Sequence, residues 1–444
     1  MSNVLDVLDQ AAFDIPRASG SSTVLQCTWV YSHPINAGNL QRFRDHLQQG
    51  RLSRRIEQSS LGFGRHRWVA PDRALDIEMA APRPREALED WLEEQARTPI
   101  SCESGPEWHL AVLPFSGGGA GVSLVISHCL TDGVGLCEAI ADAALGRDAA
   151  VSWPPAASRG RWRALHEDAV QSIRDIPAVC RGFAAATRLA RRNREQAKSS
   201  PRPDLKRPAL QKSATESSAA PVVTVFVDAD EWTTRAQSLG GTNNSLLVGV
   251  SSCLAQRAGR VAADGSVVVL VPVNERIPGD TRANAIGGVG VKVDPTRVTT
   301  DLSEVRVAVK QALSDHAELA DLERATNALV PLSPQRLLKA AGDAVTGAQF
   351  NLISGSNVGA VDAAAARPDG TDADLFALRL CYFGPMEDAV QRCGGVQTVL
   401  SGTAQGRVFL SLVSYLPAHP NSKDALRQDL LRTLQQFSLN GTCL

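Results

Sequence analysis

Residues 122–135 read VSLVISHCLTDGVG. Val122, Leu124 and Ile126 alternate there with Ser123, Val125 and Ser127, the period of a strand with one face more apolar than the other. His128 stands where the alternation stops, and three residues later comes the pair Asp132–Gly133. That pair suits a tight turn, because glycine reaches positive φ at little cost. Leu136, Ile140 and Ala144 then recur at helical spacing, closed by Gly146. The stretch therefore reads strand, loop, helix, with a histidine at the strand's end, where working side chains of α/β scaffolds are found. An imidazole with an ordinary pKa of about 6.5 can accept a proton at neutral pH, and an aspartate four positions on can anchor the loop. On spacing alone, His128 either takes a proton or only closes a hydrogen bond within the loop.

Outward from this stretch, the same alternation of signals continues in both directions. VLQCTWVY (24–31) reads as a strand and 39–49 as a helix ending at Gly50. Residues 108–114 and 121–127 read as a hairpin around SGGG (116–119). After residue 220 come strands at 222–227, 266–273 and 289–293, with helices at 244–257 and about 302–320. Strands near 376–383, 396–400 and 407–415 and a helix at 422–437 close the chain. Mixed α/β halves of similar length follow: 1–195, then 221–444, joined by an exposed linker at 196–220.

Residues 159–212 break the pattern, with 14 Lys/Arg against 5 Asp/Glu. Their first part, 162–193, has helical spacing, while the remainder is rich in Pro, Ser and Lys. The basic segment either meets an anionic membrane surface or ligand, or is a solvated helix face feeding the linker.

Composition removes several classes of function. The whole chain has 46 Lys/Arg against 47 Asp/Glu and 5% aromatics, which argues against a nucleic-acid partner. Its 9 cysteines include no CxxC pair, and no HExxH or comparable spacing predicts a metal. SGGG lacks the Lys-Ser/Thr of a P-loop, and GGVGV (287–291) opens a strand, not the helix a dinucleotide fingerprint needs. Met1–Phe13 has no basic region before a long apolar run, and no stretch reaches the roughly 18 apolar residues of a membrane span. A cytoplasmic location is expected, extending to peripheral membrane contact through the basic segment.

SHCLTDG resembles the HHxxxDG motif of the condensation-domain superfamily, the HxxxD acyltransferases. Within it the sequence is closest to bacterial wax ester synthase/diacylglycerol acyltransferases and polyketide-associated acyltransferases. VLDQAAFDI (7–15) resembles the family's N-terminal Leu-Asp segment. VPVNER (271–276) with Asn284 resembles its Pro-Val-x-x-Arg and Gly-Asn-x-x-Gly stretch, and NLISGSNVG (351–359) its Ser-Asn-Val-Pro-Gly segment. Ser414–Tyr415 matches a late Ser-Tyr. Ser127, Ala283 and Gly359 stand where the family has His, Gly and Pro.

The resemblance implies two chloramphenicol-acetyltransferase-like halves forming a V-shaped pseudo-dimer, sufficient as a monomer, with a tunnel between them. It implies an O-acyltransferase in which His128 is general base, moving an acyl group from acyl-CoA or a carrier-protein thioester to an acceptor hydroxyl. No bound cofactor or metal is expected, and Cys129 need not be a nucleophile. Asp132 and Gly133 complete the motif, with Asp132 anchored by Arg276 unless that arginine merely caps its strand. Asn284, Ser354, Ser356 and Asn357 are the expected tunnel residues. Two other readings stay open: a carrier-protein-dependent condensation enzyme, and a catalytically silent pseudo-dimer that binds a lipid or a protein.

Overall fold

The computed structural model describes residues 3–147, 151–199, 219–277, 279–332, 352–386 and 394–444. Strands form where β-branched and aromatic residues run together: β1 (Ser22–Tyr31), β5 (Trp108–Pro114) and β6 (Ala120–Ser127), with the short β4 (Ile77–Met79) at the edge. A separate ribbon pairs β2 (Arg55–Glu57) with β3 (Arg67–Val69). The hairpin expected around SGGG is present, β5 lying antiparallel to β6. Gly119 sits there at φ +86°, where a β-carbon would collide with the carbonyl of Tyr31. Helices α1 (Val7–Ser19), α2 (Ala37–Gln49), α3 (Leu88–Ala96) and α4 (Gly133–Leu145) accompany this sheet, and α5 (Arg161–Ser199) follows it.

The second set of strands is β7 (Val222–Asp228), β8 (Val267–Asn274), β9 (Ile286–Val293), β10 (Leu352–Ala360), β11 (Leu375–Phe383), β12 (Val396–Ala404), β13 (Arg407–Tyr415) and β14 (Thr442–Cys443). Its helices are α6 (Ala229–Ser238), α7 (Asn243–Arg257), α8 (Ser303–Asn327) and α9 (Lys423–Gln436). Among the described residues these strands make one sheet ordered β14–β7–β13–β12–β10–β8–β9, with a single defector. Strand β11 crosses over and becomes the edge of the first sheet, ordered β11–β1–β6–β5–β4. It runs antiparallel to β1, from Ser22 opposite Phe383 to Val30 opposite Leu375.

The expected mixed α/β class and the two-lobed arrangement are both present, but the sheets do not respect a boundary at residue 220. The reason is packing. Trp29 on β1 packs at a tilt against Phe376 of β11, ring centres 5.7 Å apart, and edge-on against Phe43 of α2 at 6.2 Å. Phe376 in turn meets Phe409 of β13 at 6.0 Å, so one aromatic run crosses from the first lobe into the second. The linker expectation also shifts. Helix α5 continues through 196–199, because Gln196, Ala197 and Lys198 are good helix formers even without apolar residues to bury. Residues 200–218 of that linker lie outside the described residues.

Candidate active site

Strand β6 is buried along its length until Ser127, where the chain turns and Asp132 caps α4. One carboxylate oxygen of Asp132 accepts the Gly135 N–H at 2.7 Å, satisfying an orphan donor of the first turn. Gly133 therefore opens a helix and is not in a positive-φ turn, contrary to the sequence expectation. Its lack of a side chain serves close approach: a β-carbon there would lie 2.9 Å from Val358 of β10 and 3.2 Å from Leu378 of β11. At Gly135 a β-carbon would come within 2.8 Å of the Arg276 guanidinium. The glycines of DGVG admit side chains from the other lobe.

The expected Asp132–Arg276 ion pair is formed, at 2.6 Å, with both side chains almost wholly buried. The same Asp132 oxygen accepts the Ala285 N–H at 2.8 Å, and the Asp132 N–H donates to the Ala283 carbonyl at 3.0 Å. Arg276 donates in addition to the carbonyls of Arg282 and Ala283, at 3.1 and 3.0 Å. Bidentate-capable guanidinium suits this task, since it satisfies a carboxylate and two carbonyls from one rigid plane.

His128 is half-buried at the end of β6. Its N–H donates to the Thr23 carbonyl at 3.0 Å, and its carbonyl accepts from the Asn284 side chain at 3.2 Å. The ring makes no hydrogen bond with any described residue and borders a cavity of about 180 Å³. From the first lobe the cavity takes Leu25, Leu380 and Tyr382. From the second it takes Pro272, Ile286, Thr398 and, from β10, Ser354, Ser356 and Asn357. Three of the four expected tunnel residues thus border the His128 cavity. The Asn357 amide is already engaged, donating to Asn244 at 2.6 Å and accepting the Gly359 N–H at 2.9 Å. Proline could make neither that N–H bond nor the φ of +80° at Gly359. The Ser354 and Ser356 hydroxyls have no partner among the described residues.

Asn284 departs from expectation. It is 4% exposed, is not on the wall of the His128 cavity, and donates its amide to the His128 carbonyl. Its own N–H, and that of Ala283, donate at 2.8 and 3.0 Å to the two carboxylate oxygens of Asp9 on α1. Asp9 is fully buried, and burial pushes its pKa up to about 6 against the opposing pull of Arg54 and the two N–H groups. Arg54, also buried, has its pKa lowered to about 10 by desolvation. It donates to the carbonyls of Leu130 and Thr281 at 2.9 and 2.6 Å, with its guanidinium 4.2 Å from the centre of the Trp68 ring. Sequence reading gave no role to Asp9 beyond its motif and none to Arg54, whose only signal is a pair of arginines before an apolar residue.

Cys129 points away from the cavity and donates its thiol to the Ala12 carbonyl at 3.1 Å. A larger cavity, about 570 Å³, lies between α5, α8 and the stretch around Arg65, with no imidazole or thiol on its wall.

No protein-family model and no curated protein matches the chain. Solved structures do. Polyketide synthase associated protein 5 from Mycobacterium tuberculosis superposes with a TM-score of 0.53 at 13% identity, with 96% of each chain covered. The wax ester synthase/diacylglycerol acyltransferase from Marinobacter aquaeolei VT8 gives 0.54 at 15%, covering 98% of this chain and 100% of that one. A variant of the starter condensation domain of rhizomide synthetase, in complex with C8-CoA, gives 0.55 at 13%, covering 99% and 95%. The chain has the two-lobed fold of the condensation domains, the wax ester synthase/diacylglycerol acyltransferase and the polyketide synthase associated protein.

Proposed function

We propose that the protein is a condensation-type acyltransferase that moves an acyl group from acyl-CoA to an acceptor hydroxyl, with His128 as general base. The observation that carries this reading is the contrast at His128: its backbone is clamped on both sides, while its ring bonds to no described residue and borders the interlobe cavity. The acceptor oxygen attacks the thioester carbonyl carbon as its proton passes to an imidazole nitrogen. The tetrahedral oxyanion takes hydrogen bonds from the Ser354 or Ser356 hydroxyl. The C–S bond then breaks, and the departing thiolate recovers the proton from the imidazolium, leaving an ester and free CoA. Asp132 borders the same cavity, but both its oxygens are engaged within the protein, so its part is to position the loop that carries His128.

The CoA thioester in the rhizomide synthetase complex supports the donor class. At about 180 Å³ the cavity falls below the 300–1,000 Å³ of ordinary ligand pockets, so an acyl chain of lipid length requires the lobes to part. The resemblance of SHCLTDG to the condensation-domain motif implies a second reading, in which the thioester arrives on a carrier protein.

The test is thiol release from acyl-CoA esters of increasing chain length on addition of primary alcohols. Turnover by the wild-type chain and none by His128→Ala supports the proposal. Turnover only from a phosphopantetheinyl carrier transfers the case to the second reading. No turnover from either donor leaves a binding protein, and retained turnover by His128→Ala removes His128 from the chemistry.

A further inference from the structure

Helix α5 is held to the body of the protein by one face. Ala164, Gly182 and Ala185 are buried on it, and a β-carbon at Gly182 would lie 2.8 Å from the Ala325 carbonyl of α8. On the same face Asp168 accepts hydrogen bonds from Ser59, the Ser60 N–H and Arg159 at 2.8–2.9 Å. The other face is apolar and uncovered: Trp162 is 85% exposed, Ile173 65%, Phe183 58% and Ile176 53%. With 3.6 residues per turn, these four and Leu165 fall in a stripe about 80° wide and about 32 Å long. Single exposed apolar residues need no explanation, but a continuous row of them on one helix does.

A second stripe runs about 120° further round the helix. Arg174, Arg181, Arg188 and Arg192 recur at i, i+7, i+14 and i+18, which brings them into line, and all four are exposed. None is ion-paired to a described residue; Arg181 donates a hydrogen bond to the Pro177 carbonyl and borders the cavity between α5 and α8. No Asp or Glu falls within either stripe. A second copy of the chain docked through this face would thus bring arginines without carboxylates to receive them. Nucleic acid would answer the arginines but not the isoleucines and phenylalanine. An interface of anionic headgroups over acyl chains answers both, because arginine stems extend along apolar surface while the guanidinium reaches phosphate.

We infer that this face of α5 docks on an anionic phospholipid surface, with Trp162, Ile173, Ile176 and Phe183 entering the headgroup–acyl boundary and the four arginines meeting lipid phosphates. The inference does not depend on the acyltransferase reading.

Flotation of the full chain with phosphatidylcholine vesicles, with and without about one-third phosphatidylglycerol, tests it. Binding is expected on the anionic vesicles and should weaken as salt rises from about 0.05 to 0.5 M. Arg174→Glu/Arg181→Glu/Arg188→Glu should weaken it about 100-fold or more. Ile173→Ser/Ile176→Ser/Phe183→Ser should weaken it at least about 10-fold, with Tm little changed because these side chains are more than half exposed. Absence of binding at low salt, or binding that survives both variants, overturns the inference. So does a fall in Tm of the apolar variant, which would make the stripe part of a core. So does a wild-type dimer in light scattering that the apolar variant dissociates, which would make the stripe a contact between copies.

Discussion

The two sides of His128 are built in opposite ways. Toward its backbone, Asp9, Arg54, Asp132, Arg276 and Asn284 are all buried, and they tie α1, the 128–132 loop and the 276–285 loop of the other lobe together. Toward its ring, the Ser354 and Ser356 hydroxyls on β10 border a cavity and bond to nothing among the described residues. Buried polar groups cost least when paired. On this side the carboxylates are fully engaged and, of the two guanidinium groups, only Arg54 Nε and Arg276 Nε lack a partner among the described residues, so the first side belongs to the fold. Hydroxyls beside a cavity remain available to a reacting molecule. The difference teaches which substitutions should reach the rate and which should reach stability.

The sharpest way to break this contrast is His128→Ala. On the proposed chemistry it should lower kcat by about 10²–10⁴-fold while Tm moves little, since among the described residues only backbone atoms of His128 are hydrogen-bonded. A large loss of Tm with modest loss of rate would mean that the ring, too, is structural. On the opposite side, Arg276→Ala leaves Asp132 buried without its cation and should cost about 3–5 kcal/mol in denaturant unfolding. Less than about 1 kcal/mol would show that the junction yields easily.

Asp9 sharpens the contrast through pH. Its pKa of about 6 in the folded protein lies above the ordinary 3.8, so the folded chain holds the proton more tightly than the unfolded one. The penalty of ionising it, about 3 kcal/mol, is absent at low pH and sets in between roughly pH 4 and 6. The stability of wild type relative to Asp9→Asn should therefore rise by about that amount as pH falls from 7 to 4, the reverse of a salt-bridged carboxylate. A flat difference across that window would place the Asp9 carboxyl in a wetter setting. The smallest effect is expected on the cavity side: Ser354→Ala and Ser356→Ala should each change stability by less than about 0.5 kcal/mol. One of them should lower kcat about 10-fold or more with KM little changed. Two silent serines would leave the oxyanion donors to be sought among backbone N–H groups.

Much of the architecture is legible locally. The strands at 24–31, 108–114, 121–127, 222–227 and 407–415 appear where their apolar runs place them, within a few residues at either end. Helix 133–145 ends at Gly146 in the left-handed conformation, as its glycine suggests. Less legible are short or weakly patterned elements: α3, α6 and the ribbon of β2 and β3 carry too few periods to stand out from loops. Strand β10 reads LISGSNVGA, in which glycine and serine mask the strand; it drew notice only through the motif that NLISGSNVG resembles. The Asp132–Arg276 pair came from two matched motifs, whereas Asn284 belonged to a matched motif and took a different part, clamping a backbone carbonyl.

What the order of residues determined by itself is everything that depends on neighbours in the chain: where alternation stops at Ser127, where Asp132 caps a helix, and that an imidazole stands between them. What only the tertiary structure decided is everything that depends on partners more than a hundred residues away. Strand β11 leaves its own sheet for β1, Asp9 receives the N–H groups of Ala283 and Asn284, and α5 buries one face while leaving another bare. The physical reason is that periodicity and capping are short-range, set by rotations within a few residues. Burial and ion pairing are sums over space, and they exist only once the lobes have come together.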